Sequence, residues 1–195
     1  MKAKKNLLYA LPFLLFACND EGKDNKDSVE VADSVNESRE EKADSTGTVQ
    51  AADTETADFL VKAADCGMAE VKLGELAKQK ATLAKVKGMG DMMSADHQKV
   101  NEEVKNLASR RNVSLPTSVG DDKQKDIDAL AAKTGKDFDK AYVRHMIKNH
   151  EDDIALFKRA IDKVHDADVR TFASNTLPKL QEHLDSFKVV QKIIN

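Results

Sequence analysis

The chain has 195 residues, 33% of them charged and 41% hydrophobic, with 31 basic against 34 acidic side chains, five histidines, two cysteines and no tryptophan. Two cysteines exclude a disulfide-stapled scaffold. The near balance of charge, with no basic stripe interleaved with aromatics, excludes a nucleic-acid-binding surface as the organising feature.

The chain opens "MKAKKNLLYALPFLLFAC". Three lysines precede an apolar run from Leu7 to Ala17 that is too short for the ~20 residues of a membrane span, so residues 1–17 read as a signal peptide. The end "LFAC" resembles the lipobox of bacterial lipoproteins, in which the cysteine thiol is acylated. On that resemblance Cys18 is the lipidated first residue of the mature chain, and a lipid anchor is the expected membrane partner. The expected location is the bacterial cell envelope, on the outer membrane, facing either the periplasm or the surface. The acidic "NDEGKD" that follows resembles the surface-export signals of Bacteroidetes lipoproteins.

Residues 19–56 contain no aromatic residue and no Leu, Ile or Met, and twelve acidic side chains face four basic ones. Such a segment buries too little apolar surface to offset its ordering entropy, so 18–56 is expected to be a disordered acidic tether with a reach of roughly 35 Å.

Residues 57–195 suit one domain. Gly and Pro gather at boundaries and no alternating strand pattern is present, which predicts an all-α fold. A first helix runs from about Ala57 to Ala81, and a second from about Thr82 to Arg111. A connector helix begins at Asp121 or Asp122 and stops at Gly135. A third long helix spans about Asp137 to Val164, and a fourth runs from about Asp168 to the C-terminus. Four long helices with two short hairpin loops and one longer crossing make an antiparallel four-helix bundle.

Counting in steps of three and four exposes one polar intruder in each apolar stripe. The second helix reads Val86, Gly90, Met93, His97, Val100, Val104. The third reads Val143, Ile147, His150, Ile154, Phe157, and the fourth Leu180, His183, Phe187. In the first, Phe59, Ala63, Cys66, Glu70 and Leu73 place a carboxylate on the seam. His145 lies about 140° from His150 around its helix, and His165 falls at a helix end; both are expected to be solvated. Glu70, His97, His150 and His183 all stand near the midpoints of their helices, so they are expected to meet in one buried layer that needs hydrogen bonds, water or a metal ion.

The segments "AEVKLGELA", "MMSADHQKVNEEVKNLA", "SLP", "TGKDFDKAYVRHMIKNHEDDIALF" and "FASNTLPKLQEHL", in this order, resemble the bacterial envelope proteins catalogued as domain of unknown function 4142, placed in the ferritin-like superfamily. The resemblance implies a ferritin-like bundle and supplies no activity. The di-iron members of that superfamily use Glu-x-x-His on two helices, whereas here Ser94, Ile147 and Leu180 stand three residues before the histidines. A di-iron oxidase is therefore not expected.

Three alternatives stay open: a single zinc or copper ion on Glu70, His97, His150 and His183; a metal-free polar layer that fixes helix register; and an envelope interaction module with an incidental layer. Met89, Met93 and Met146 lean towards copper if they are more than core filling. Asp96, Glu151 and Glu182 adjoin the histidines in sequence and are candidates to orient the imidazoles from outside, with Tyr142 on the ridge leading to His150. Cys66 is either an alternative ligand or a small core filler. No ordering of nucleophile and base suggests an enzyme. Pro178 should kink the fourth helix near Ser174 and open the bundle above the layer.

Overall fold

The computed structural model describes residues 26–46 and 52–194. The expected signal peptide at 1–17 and the lipidation site Cys18 lie outside the described residues. Those described form six helices and no strand: α1 (Ser28–Thr46), α2 (Thr54–Lys80), α3 (Ala84–Arg110), α4 (Asp121–Ala131), α5 (Gly135–Lys163) and α6 (Ala167–Ile194).

Carboxylates start most of these helices by accepting from amides that have no partner inside the helix. Asp53 accepts from Thr56 N at 2.9 Å to begin α2, and Asp166 accepts from Asp168 N and Val169 N, both at 3.0 Å, to begin α6. The start of α3 is capped from another helix. Asp139 on α5, itself buried, accepts from Thr82 N and Leu83 N at 3.0 Å each. This contact puts the beginnings of α3 and α5 at the same end, so the two helices run parallel.

With that end fixed, the packing follows. α2 pairs with α3 and α5 pairs with α6 through short turns, and the two pairs meet through α2 against α5 and α3 against α6. Adjacent long helices are antiparallel. The α2–α3 pair is the closest: a Cβ on Gly74 would stand 2.8 Å from Gly90 O, and one on Gly90 2.7 Å from Gly74 O, so both positions require glycine for the backbones to touch. The connection from α3 to α5 must return the length of the molecule. It does so along α2, held by Asp65 accepting from Gly120 N at 2.8 Å, by Lys72 donating to Gln124 at 2.9 Å, and by Lys80 donating to Ala131 O. Gly135, at φ +59°, makes the turn from α4 into α5.

Helix α1 corrects the expectation of a tether without structure over Ser28–Thr46, while residues 18–25 and 47–51 of that segment lie outside the described residues. It is anchored by hydrogen bonds and not by an apolar stripe. Asn36 donates to Ser114 O at 2.9 Å and accepts from Ser114 N at 2.7 Å; Ser28 Oγ accepts from Thr117 N at 2.8 Å; Arg39 donates to Asn112 O at 2.7 Å. Asp27 caps two helices at once, accepting from Val29 N at 2.8 Å and from Asp121 N at 2.9 Å. Partners 73 to 94 residues away in the chain leave no trace in local pattern.

Two apolar clusters fill the space between the long helices. One, towards the α2 N-terminus, centres on Phe59, Phe157 and Phe172, with the Phe59 and Phe157 rings edge-on at 5.1 Å. The other holds Leu73, Met93, Phe138, Tyr142, Met146 and Phe187. Pro178 lies inside an unbroken α6, and the Ser174 carbonyl that it cannot serve is at an exposed position where water can serve it.

Candidate metal centre

The level between the two apolar clusters is occupied by Glu70, His97, His150 and His183, one from each long helix and each 2% exposed or less. Helices of similar length, joined by short turns, bring their midpoints level, so the four intruders seen in the stripes meet as expected. The imidazoles form a triangle with ring centroids 5.9, 5.5 and 5.5 Å apart.

Each ring is held by one nitrogen and leaves the other free. His97 Nδ1 donates to Glu70 Oε2 at 2.8 Å, tying α3 to α2. His150 Nδ1 donates to the Met146 carbonyl one turn earlier at 2.9 Å. His183 Nε2 donates to Asp96 Oδ2 at 3.1 Å, tying α6 to α3. The remaining nitrogens, His97 Nε2, His150 Nε2 and His183 Nδ1, are buried with no hydrogen-bond partner. One potential ligand atom from each of the three histidines lies within 4.8 Å of the other two. An acceptor on the far nitrogen sets tautomer and ring orientation, which is how metal-bound histidines are usually held.

This arrangement corrects one ligand of the sequence-based set. Glu70 stands behind His97, not beside the three free nitrogens. Its Oε2 is taken, while Oε1 is buried without a hydrogen bond, 3.5 Å from a His150 nitrogen already committed to Met146 O. Asp96 orients His183, as its position suggested. Glu151 and Glu182 do not orient any imidazole: they face solvent and pair with Lys188 at 2.9 Å and Lys179 at 2.8 Å. Tyr142 is fully buried between Phe138 and Phe187, and its hydroxyl has no partner. Met93 and Met146 belong to the neighbouring apolar cluster. His165 is exposed; His145 is half-buried beside Asn149, contrary to the expectation that it is solvated.

One residue beside the site escapes the pattern reading. Asp153 is 5% exposed and lines one pocket with Glu70 and Cys66. It stands three residues after His150, on the same helix face, and a search after each histidine as well as before it finds this His-x-x-Asp pair. Cys66 is neither an imidazole-layer ligand nor a core filler. It is partly exposed and lines a pocket with Lys123 and Asp153.

Burial dominates the electrostatics. It pulls His97 down to about 4 against the opposing pull of Asp153 and Asp96, and it lowers His150 and His183 in the same sense. All three rings are therefore neutral at neutral pH, with lone pairs open to a cation and no proton to displace. Burial, followed by the charge of Glu70, pushes Asp153 up to about 8. Burial also raises Glu70, against the charge of His150. Burial likewise drives the Cys66 thiol well up, so it is a thiol and not a thiolate.

Among solved structures, a DUF305 fragment from Deinococcus radiodurans is similar with a TM-score of 0.65 at 10% identity, over 73% of this chain and 98% of that one. A conserved hypothetical protein from Mycobacterium tuberculosis is similar with a TM-score of 0.56 at 15% identity, over 71% of this chain and 98% of that one. At these identities the likeness is one of helical fold. No curated protein matches. The model of one family spans the α1 C-terminal half and nearly all that follows, residues 39–190, and the chain belongs to that family, described as a domain of unknown function, DUF4142.

Proposed function

We propose that this is a lipid-anchored protein of the bacterial envelope whose ferritin-like four-helix bundle holds one transition-metal ion on His97, His150 and His183. The observation that carries it is the three converging imidazole nitrogens, each buried without a partner while its ring is fixed from behind. A metal-free layer would leave three buried acceptors unsatisfied at about 1–3 kcal/mol each. A single cation between them satisfies all three. Three neutral nitrogen donors suit zinc, copper or nickel, and three protein ligands leave a fourth position for water or a small ligand.

The ferritin-like assignment rests on one long crossover between the second and third bundle helices, with hairpins on either side. The di-iron chemistry of that superfamily does not carry over. It needs several carboxylates at the metal, whereas here the carboxylates stand behind histidines and the three-residue spacing is His-x-x-Asp.

Metal analysis of protein purified without a histidine tag tests the centre: about one zinc or copper per chain is expected in the parent and none in His97→Ala. Metal-free parent protein that also takes up none from added zinc or copper would remove the proposal. The anchor rests on the lipobox-like "LFAC" and is tested separately. Cys18→Ser should shift the protein from the membrane to the soluble fraction, and unchanged fractionation would argue for another means of attachment.

A further inference from the structure

The metal centre is closed on the α3–α6 side by the Asp96–His183 hydrogen bond, and the surface groove beside Pro178 is lined by Met89, Gln181 and Asp185 but by none of the layer residues. A different opening does reach the layer. Between α2, α5 and the connector helix α4 lies a pocket of about 270 Å³ lined by Lys62, Asp65, Cys66, Lys123 and Asp153, with Glu70 among its walls. It is the polar side of a bundle whose neighbouring levels are packed with Phe, Leu and Met.

Several polar groups line that pocket from its mouth to the layer. Lys123 on α4 stands 4.0 Å from Asp65. Cys66, Asp153 and Glu70 line the pocket further in, and Glu70 holds His97. Glu70 is 2% exposed and its Oε1, with no hydrogen-bond partner, belongs to a residue that lines this pocket. A buried carboxylate oxygen left open between a solvent-connected pocket and a metal-binding imidazole is placed to receive a cation on its way inward. Lys123 holds the mouth because the Asp65–Gly120 hydrogen bond pins the start of α4 to α2.

Resting on the metal reading above, we propose that this pocket is the entry port of the centre, passing a divalent transition-metal cation from Asp65 past Asp153 to the free oxygen of Glu70 and on to the imidazoles, with Lys123 as a cationic latch. The latch is half-exposed and its ammonium repels the ion that the carboxylates attract, so it sets the rate of entry and not the final affinity.

Stopped-flow uptake of cobalt(II) by the metal-free full chain, followed by its visible absorption, tests the port. Lys123→Gln should take up cobalt roughly tenfold faster. Asp153→Asn, which cannot give up a proton to an arriving cation, should be slower by a similar factor, and Pro178→Ala should match the parent. Final occupancy should be one ion in all four proteins. Parent rates in Lys123→Gln and Asp153→Asn, or a rate change confined to Pro178→Ala, would overturn the port while leaving the centre intact. If the parent takes up no cobalt, the three-histidine centre fails and the port with it. Lys123 is at the surface, so Lys123→Gln decides alone if Asp153→Asn does not fold.

Discussion

The polar layer of α2, α3, α5 and α6 is buried, periodic and short of partners, whereas α1 is nearly free of large apolar side chains and held by hydrogen bonds to the loop after α3. Glu70, His97, His150 and His183 leave four buried polar atoms without a hydrogen bond between them. Asn36 satisfies both the N–H and the C=O of Ser114. In a native fold an unsatisfied buried group is expensive and a satisfied half-exposed one is nearly neutral. The layer therefore stores a demand for a partner, whether water or a cation, while α1 is a local brace. Each of the following experiments sharpens or breaks that contrast.

The largest effect should come from the layer. If the ion is present at about a thousand times its dissociation constant, binding adds about 4 kcal/mol to the folded state. For a chain of this size that corresponds to about 8–16 °C in melting temperature. Chelator should lower the melting temperature of the metal-loaded parent by that much and leave His97→Ala unmoved. A chelator shift of equal size in His97→Ala would place the ion elsewhere.

Next in size is the pH dependence of the metal-free protein. Asp153 has a folded pKa of about 8 against 3.8 when free. Its folded-state proton therefore contributes stability that is complete below 3.8 and lost as pH rises to about 8. His97, lowered from 6.5 to about 4, works the other way, contributing stability above 6.5 that is lost as pH falls towards 4. The two slopes oppose each other between about 4 and 6.5. Above 6.5 only the carboxyl side remains, so the apo parent should lose about 2 kcal/mol between roughly pH 6.5 and 8. Asp153→Asn, which cannot ionise, should be flat there. A parent curve that is also flat would mean that Asp153 titrates normally and that the pair with Glu70 is not as buried as described.

The layer and α1 also differ in how far the sequence disclosed them. The four long helices and the depth of His97, His150 and His183 are written in a period of 3.6 residues, because burial on a helix is a local and repeating constraint. Glu70 was placed at the right level yet given the wrong task, since periodicity fixes depth and face but not which of two oxygens meets which ring. Asp153 is legible as the third residue after His150. Asp139 lies within the segment "TGKDFDKAYVRHMIKNHEDDIALF", but its role as the cap of α3 cannot be read from a position 56 to 57 residues away. For α1 the composition argument was sound about hydrophobic burial and silent about hydrogen bonds. Asn36, Arg39 and Ser28 are ordinary polar residues until the loop at 112–118 is folded beside them.

The smallest effect, and the most informative about α1, is expected from Asn36→Ala. Alanine is the better helix former by several tenths of a kcal/mol, so on propensity alone the substitution should steady α1. Against this it removes two hydrogen bonds, to Ser114 O at 2.9 Å and from Ser114 N at 2.7 Å. Water can replace them at this half-exposed position, so the net loss should be about 1–2 kcal/mol, felt locally. Amide hydrogen exchange should then rise roughly tenfold in α1 and in residues 112–118, with the core amides of α5 and α6 unchanged. The melting temperature should fall by no more than about 4 °C. Slower exchange in α1 would show that helix propensity and not the clamp holds it. Equal acceleration in α5 and α6 would make α1 part of the same cooperative unit as the metal layer, and the contrast between brace and binding layer would fail.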